Sequence, residues 1–226
     1  MNLLFFGFLC FMLACSPHDS NQETRTMSTI SLPRPNLSGD ISIEETLERR
    51  RSVRTFSATP LSLEEIGQLA WAAQGITDAA RGFRTAPSAG ATFPMETYFL
   101  LTEGEDVAGG VYRYLPHDHA LELVTEGDQR RDLRSVALQQ ESITDAPAVL
   151  VITGILSRIE PRYRERAMRF MHMEAGHVAQ NIYLQGVSLG VGTVVIGAFE
   201  DDGVRSVLGL GDGEYPLYIM PLGKLP

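Results

Sequence analysis

The stretch Arg50-Arg51-Ser52-Val53-Arg54 places three guanidinium groups and one hydroxyl within five residues. Like charges this close repel one another unless an anion lies among them. Arginine is a common partner of phosphate because its planar fork donates two parallel hydrogen bonds, and Ser52 adds a neutral donor. The stretch, here named the arginine segment (residues 50–54), indicates either a phosphate site or a solvated basic face, which most charge runs are.

The composition makes the arginine segment a local exception. The chain has 226 residues, a formal net charge of -9 and a hydrophobic fraction of 44%. This length is enough for one sizeable domain with its own core. The acidic balance argues against a general nucleic-acid-binding protein, so the segment stands out as a positive site on an acidic chain.

The N-terminal residues resemble an export signal. Both cysteines, Cys10 and Cys15, lie there, so the rest of the chain has no disulfide, thiolate-bound metal or cysteine nucleophile. Residues 3–14 are almost wholly apolar, too few to span a bilayer well but enough for a secretory signal. Met12-Leu13-Ala14-Cys15 resembles a bacterial lipobox, in which the cysteine is lipidated.

We therefore expect residues 1–26 to be a signal and a polar tether, and residues 27–226 to be one globular domain. In this interpretation Cys15 anchors the protein to a membrane of the bacterial cell envelope. The alternative is translation from Met27 and a cytoplasmic protein. The apolar run lacks preceding basic residues, and Met12 stands where leucine is commoner in a lipobox.

From residue 28 onward, helical and apolar extended patterns alternate, which indicates one α/β or α+β domain. Residues 32–35 contain two prolines and predict an extended arm. Ser42 with Glu45, and Ser62 with Glu65, have the spacing of capping boxes. The predicted helices are 42–49, 62–74, 128–139, 170–189 and 202–208, and the predicted strands are 97–102, 111–115, 121–125, 148–153, 191–196 and 215–221.

Two segments between these elements allow a functional interpretation. Small residues and two prolines fill residues 84–94, here named the small-residue loop, so its backbone could approach a ligand closely or could simply form a surface loop. The turn His117-Asp118-His119 contains metal-ligand types, but such residues in an exposed turn are more often ordinary polar turn residues.

No motif for catalysis by side chains alone is present. Glu174 and His177 have the spacing of half a di-iron carboxylate site, but no second Glu-x-x-His pair exists. His172 and His177 are five apart and do not share a helix face, so we expect His177 to be partly buried and hydrogen-bonded. Nucleophile-elbow, P-loop and dinucleotide fingerprints are absent. The difficult chemistry of an enzyme with this sequence would belong to a bound cofactor.

Several runs follow one another in a specific order and spacing. They are Leu32-Pro33-x-Pro35, residues 50–56, 87–91 with Pro94-x-Glu96-x-Tyr98, 174–181, 189–192, 196–199, and Pro216-Leu217-Tyr218-Ile219 with Pro221-Leu222-Gly223. Together these runs, which cover residues 32–226, resemble the nitroreductase superfamily. Within it they are similar to the branch of dehydrogenases that oxidise azolines to azoles in peptide natural products.

This resemblance implies an α+β fold with a central, mostly antiparallel sheet flanked by helices, and a homodimer with FMN at the subunit interface. The chemistry would occur at flavin N5, and no metal is implied. The arginine segment would hold the phosphate and ribityl chain, and the partner's residues 87–89 would line the flavin. Residues 196–198 would pass along the ring with backbone N–H groups near N5. The expected cofactor-binding residues are Arg50, Arg51, Ser52, Arg54, Pro87, Ser88, Ala89, Ile196, Gly197, Ala198 and Lys224.

The chain departs from the common pattern of the superfamily in three ways. Ala91 and Phe93 stand where many nitroreductases have Asn and Gln, and Gly197 stands where an acidic residue is frequent; both changes fit the azole-forming branch. A basic pair beyond the last strand is reduced to Lys224, which weakens the implied C-terminal phosphate contact.

The resemblance thus implies an FMN-dependent oxidoreductase that transfers electrons between a donor, such as NAD(P)H, and a small-molecule or peptide-derived substrate. Outside the cytoplasm NAD(P)H is scarce, so an envelope location would favour another donor or a dehydrogenase reoxidised by oxygen or a quinone. The alternative is a non-catalytic FMN- or ligand-binding envelope lipoprotein that retains the fold, because fold alone does not establish activity.

Overall fold

The computed structural model describes residues 28–104 and 107–226. The signal and tether predicted for residues 1–26, and Cys15 with them, lie outside the described residues. The strands are β1 (Thr29–Ser31), β2 (Ile76–Asp78), β3 (Phe83–Arg84), β4 (Met95–Leu101), β5 (Gly110–Leu115), β6 (Ala120–Glu126), β7 (Ala148–Ile155), β8 (Val191–Thr193) and β9 (Glu214–Lys224). The helices are α1 (Ile43–Arg49), α2 (Leu63–Gln74), α3 (Arg130–Val136), α4 (Ser142–Asp145), α5 (Leu156–Tyr163), α6 (Ala167–Leu189) and α7 (Asp201–Leu208).

Seven strands form one sheet in the order β1-β6-β5-β4-β7-β9-β8, and all their pairings are antiparallel. The strands β2 and β3 form a separate antiparallel hairpin. The expected α+β fold with a mostly antiparallel central sheet is therefore confirmed.

The central strand β7 is buried on both faces, which explains its continuous apolar sequence. Leu150 and Ile152 belong to a cluster with α2 and α6 on one face, whereas Val149 and Val151 belong to a cluster with α3 and α7 on the other. In the described part of the chain, no helix has both the length and the apolarity to span a membrane.

The helix α6 positions most of the candidate site. It has 23 residues and ends at Gly190, whose left-handed conformation (φ 67°) lets its N–H reach the Gly186 and Val187 carbonyls. Its buried side, which includes Val178 and Ile182, packs against the core. The surfaces of the helix on either side of this buried stripe can therefore bind loops.

The predicted elements exist, with shifted ends. The predicted helix 128–139 is shorter, Arg130–Val136, and the strand predicted at 191–196 stops at Thr193. The strand stops because Val195 donates its N–H to the Tyr183 hydroxyl of α6 and not to a neighbouring strand. Ile196 then pairs again, with Ile219. The strand β1 and the β2–β3 hairpin were not predicted.

The predicted N-terminal arm is fixed to the sheet by the β5–β6 turn. Leu32 donates its N–H to the His119 carbonyl at 2.9 Å, and His119 Nε2 lies 2.8 Å from the Pro33 carbonyl oxygen. The Nδ1 atom of His119 lies 2.9 Å from the Tyr114 hydroxyl. His119 is thus a turn residue, as expected, but it also joins the arm to the hairpin.

Candidate functional site

The arginine segment is an extended strip laid against β8. It begins at Arg50, the C-cap of α1, and Val53 donates its N–H to the Thr193 carbonyl at 2.8 Å. Ser52 pairs with Thr193 as a parallel bridge. A Cβ at Gly192 would lie 2.8 Å from Val53 Cβ, so glycine is required for this approach. Backbone contacts therefore hold the segment, leaving its long side chains free.

The positive charge of the segment is uncompensated within residues 28–104 and 107–226. No carboxylate there forms an ion pair with Arg50, Arg51 or Arg54. Arg51 donates to the carbonyls of Glu48 and Arg50, and both Arg51 and Arg54 are exposed. The group therefore offers the donors that a phosphate monoester requires.

Lys224 differs from these arginines. Its ammonium forms an ion pair with Glu65 of α2 and lies 3.4 Å from the Leu189 carbonyl oxygen. The structure places its backbone near the arginine segment, since Ser57 donates to the Lys224 carbonyl at 3.0 Å. Its charge is already balanced, so it offers less to an anion than Arg50 or Arg54.

Residues 196–198 follow β8, the strand against which the arginine segment lies. Ile196 is buried and exchanges two hydrogen bonds with Ile219, so its own N–H is occupied. Gly197 and Ala198 are exposed, and their N–H groups have no protein acceptor among the described residues. Of the three expected residues, only these two have N–H groups free for a ligand.

The small-residue loop is strained at two positions next to a left-handed glycine. Ala91 and Phe93 have φ values of 53° and 44°, in the left-handed region that residues other than glycine rarely adopt, and Gly90 has a φ of 58°. Short hydrogen-bonded turns, such as Ala91 N–H to the Ser88 carbonyl at 3.1 Å, close the loop on itself. Such a conformation persists only where surrounding groups hold it.

Three side chains from α5 and α6 hold the loop. Glu174 accepts the Ala89 N–H at 2.8 Å, and Arg162 donates to the Gly90 carbonyl at 3.1 Å. Arg158 donates to the Phe93 carbonyl at 3.3 Å and forms an ion pair with Glu96 of β4. The loop is thus fixed from outside, by residues far away in sequence.

Glu174 is the most buried of these anchors, with 3% of its surface exposed. Burial raises the pKa of its carboxyl, and the Ala89 N–H, the Ser88 hydroxyl and nearby His177 partly oppose this shift. The expectation that His177 is partly buried and hydrogen-bonded is wrong: its side chain is exposed, with no hydrogen bond in the described structure. It lies on the open face of α6, away from the core.

The two candidate segments attach to opposite faces of α6. Glu174 binds the small-residue loop, whereas Tyr183 lies 3.1 Å from the Ser52 hydroxyl. Nine residues separate them, about two and a half turns and about 13 Å along the axis. An exposed stripe with Met173, His177 and Gln180 lies between these faces. One chain therefore does not bring the arginine segment and its own residues 87–89 together.

A groove of about 830 Å³ lies apart from the expected cofactor residues. It is bounded by the N-terminal arm, α1, α2 and α6, and Gln68 at its floor is hydrogen-bonded to Asn36 and Gln185. Leu37 and Ile43 at its edge are 78% and 55% exposed. Polar and apolar side chains both line the groove, and the exposed Leu37 and Ile43 add apolar surface at its edge.

Sequence reasoning missed Tyr183, Arg158 and Arg162, and considered Glu174 only as a metal ligand. A signal existed for Glu174, because a carboxylate at a position facing the core requires a partner. No local signal identified the others, since their partners lie 62 or more residues away or on another element.

Comparison with known proteins gives one consistent match. The nitroreductase family matches residues 47–224. A protein of Methanocaldococcus jannaschii described as a nitroreductase is 44% identical over 185 residues, which are 82% of this chain and 92% of that protein. The trifolitoxin operon protein TfxC of Rhizobium leguminosarum bv. trifolii is 25% identical over 223 residues, 92% of this chain and 62% of TfxC.

Solved structures agree with this match. The crystal structure of a protein of Ralstonia eutropha JMP134, described as a nitroreductase, superposes with a TM-score of 0.78. It is 32% identical to this chain, and the superposition covers 88% of this chain and 90% of that one.

Proposed function

The chain belongs to the nitroreductase family of flavin oxidoreductases, and from this premise we propose that it binds FMN as a homodimer. The arginine segment would hold the phosphate, and Gly197 and Ala198 would lie along the ring. The partner's residues 87–89 would cover the ring from the other side. The FMN would supply hydride and electron transfer, and the protein's residues would bind and orient it.

The observation that carries the proposal is the uncompensated charge of the arginine segment. Arg50 and Arg54 have no carboxylate partner in residues 28–104 and 107–226, on a chain with a formal net charge of -9. An unpartnered cluster of cations is unfavourable without a counter-ion, and a phosphate monoester supplies two charges and several acceptors. FMN carries such a phosphate, whereas riboflavin does not.

The free backbone donors support the same placement. A flavin ring presents hydrogen-bond acceptors along one edge, and the exposed N–H groups of Gly197 and Ala198 have no protein acceptor among the described residues. The lack of a side chain at Gly197 leaves room for a flat ring. The donor set of the chain therefore fits both ends of FMN.

The arginine segment and the small-residue loop attach to opposite faces of α6, which supports a site built from two copies of the chain. A second copy would have to supply residues 87–89 opposite the first copy's arginine segment, and two-fold symmetry would then give two identical sites. The open stripe on α6 and the exposed Leu37, Ile43 and Leu47 provide apolar surface for this contact. Light scattering of the purified protein would test the dimer directly, and a monomer that still holds FMN would contradict it.

For the reaction, we propose two half-reactions that share one site, in which a donor reduces the flavin and an acceptor reoxidises it. Ala91 and Phe93, in place of Asn and Gln, favour the dehydrogenase branch that acts on peptide-derived substrates. The similarity to TfxC, a protein of a trifolitoxin operon, is in keeping with this branch. Side chains of α5 and α6 fix the small-residue loop, and its small residues leave room for a substrate to approach the ring.

We further propose that residues 1–26 direct export and that lipid at Cys15 anchors the domain in the cell envelope. Membrane fractionation of wild type and Cys15→Ser tests this: the variant should leave the membrane fraction. A wild-type protein that begins at Met27 in the soluble fraction would contradict it.

The absorption spectrum of the purified protein tests the cofactor, because bound flavin gives visible bands. Stopped-flow reduction by NADH, NADPH and dithionite then tests turnover. A flavin that dithionite reduces, but that no physiological donor reduces and no acceptor reoxidises, would favour the binding protein over the enzyme.

A further inference from the structure

Tyr183 connects the two segments that approach the phosphate end and the ring end of the proposed site. Its hydroxyl lies 3.1 Å from the Ser52 hydroxyl and accepts the Val195 N–H at 2.9 Å. Its ring lies under the Arg50 guanidinium, with the carbon of that group 5.1 Å from the ring centroid, within cation–π range. One side chain of α6 therefore contacts two members of the arginine segment and the residue before Ile196.

The hydrogen bonds at Tyr183 have a preferred direction. Because the phenol oxygen already accepts the Val195 N–H, its own proton is available for Ser52. A phenol is also the more acidic hydroxyl and therefore the better donor of the pair. If Tyr183 donates to Ser52, the serine proton is left free to point outward. In such a series of hydrogen bonds, each bond polarises the next and so strengthens the donor at its end.

We propose that Tyr183 is a positioning residue of a phosphomonoester site: it orients the Ser52 hydroxyl as a donor and holds Arg50 beside it. The ligand's identity as FMN rests on the function proposed above, but the anion site itself does not. Tyr183 acts through Ser52 and Arg50 and does not touch the reacting atoms. Tyr183 also accepts the Val195 N–H, so the same side chain holds the backbone that leads to Gly197 and Ala198.

This role predicts an effect that depends on the ligand's phosphate. In Tyr183→Phe the ring remains under Arg50, but Ser52 loses its donor and is free to turn away. FMN binding should weaken about three- to tenfold, the range for one neutral hydrogen bond. Riboflavin, which has the same ring without the phosphate, should lose less affinity than FMN, because only the lost acceptor of the Val195 N–H acts on the ring side.

The experiment is a fluorescence titration of apo-protein with FMN and with riboflavin, in wild type, Tyr183→Phe, Ser52→Ala and the double variant. Both single changes act through the Ser52 hydroxyl, since one removes it and the other removes the group that orients it. The double variant should therefore bind FMN about as weakly as the weaker of the two single variants, and the two losses should not multiply. Tyr215→Phe is the matched control, since the Tyr215 hydroxyl has no hydrogen bond in the described structure. It should bind both ligands as wild type does.

A second measurement is independent of flavin. The melting temperature of apo wild type should rise with inorganic phosphate, and the rise should be smaller in Tyr183→Phe. A phosphate effect that depends on Tyr183, in a protein that binds no flavin, would support this inference and refute the FMN proposal. Equal losses of FMN and riboflavin affinity, or multiplicative effects in the double variant, would overturn the positioning role while leaving the FMN proposal in place.

Discussion

The arginine segment and the small-residue loop are held in opposite ways. The first is fixed through its backbone, by Thr193 of β8, and its guanidinium groups have no carboxylate partner within the described residues. The second has a strained backbone, and three side chains from α5 and α6 hold its carbonyl and N–H groups. Two side chains of the loop add to this support: Thr92 donates to the Ala89 carbonyl, and Ser88 accepts the Phe93 N–H.

From this difference we expect the arginine segment to matter mainly for ligand affinity and the anchors of the small-residue loop to matter mainly for folding stability. Removing the Arg54 side chain should cost ligand affinity and little stability, because this side chain is exposed and forms no ion pair within the described residues. Removing an anchor of the small-residue loop should cost stability first, because a strained backbone loses its support. The predictions below test this division, from the largest expected effect to the smallest.

The largest effect is expected for Arg54→Ala. Loss of one charge-assisted hydrogen bond costs about 1.5–3 kcal/mol, so FMN should bind about ten- to over a hundredfold more weakly. Arg54→Lys should be intermediate, since lysine keeps the charge without the fork. Titration with FMN measures the affinities, and urea unfolding of the apo-proteins should show stabilities within about 0.5 kcal/mol. Equal affinities in all three proteins would remove the segment from the site.

The next effect is a loss of stability in Glu174→Ala. The Ala89 N–H would lose its buried acceptor, which costs about 1–3 kcal/mol. Urea unfolding of the apo-protein measures this change. His177→Ala, three residues along the same helix but exposed, is the control and should change stability by less than about 0.5 kcal/mol. A Glu174→Ala protein as stable as wild type would show that the loop does not depend on this anchor.

A smaller effect is expected for Gly90→Ala. Both Gly90 and Gly82 are left-handed, so alanine at either should cost about 1–2 kcal/mol in backbone strain. At Gly90 the new Cβ would also meet the Arg162 guanidinium at 2.7 Å, whereas at Gly82 no atom lies within 4 Å. Unfolding free energies should therefore fall further in Gly90→Ala than in Gly82→Ala. Equal losses would mean that Arg162 does not support the loop.

The smallest effect is a pH dependence from Glu174. In the folded protein the pKa of Glu174 is raised above its ordinary value of 4.5. Its contribution to the free energy of unfolding is therefore largest below pH 4.5 and is lost as pH rises through the raised pKa. Glu174→Gln keeps an acceptor for Ala89 without this titration. The stability of wild type relative to Glu174→Gln should therefore rise as pH falls toward 4.5. Unfolding of both proteins across this range measures it; a difference that is constant with pH, or of opposite sign, would contradict the electrostatic account.

The sequence predicted the fold because its strongest signals are local. Capping at Ser62, the apolar run of β7 and the 23-residue α6 each depend on neighbouring residues. Short elements were missed because they depend on distant residues: β1 pairs with β6, and residues 194–195 leave the sheet where Tyr183 takes the Val195 N–H.

The candidate site could be predicted from sequence where residue chemistry is unusual and not where it depends on tertiary contacts. Three arginines on an acidic chain predict an anion site, with a solvated basic face as the alternative, and this stays a prediction. By contrast, the support of the small-residue loop comes from Glu174, 85 residues away, and the occupied N–H of Ile196 follows from pairing with β9. Lys224 resembled a free cation in sequence, but Glu65 neutralises it.

The measurement that tests the central claim most directly is the FMN content of a mixed dimer. One chain carries Arg50→Ala with Arg54→Ala, and the other carries Glu174→Ala; each homodimer should bind little FMN at a concentration that saturates wild type. If each site combines the arginine segment of one copy with residues 87–89 of the other, the mixed dimer has one intact site and should bind one FMN. A mixed dimer that binds none, or variant homodimers that bind FMN like wild type, would contradict the account.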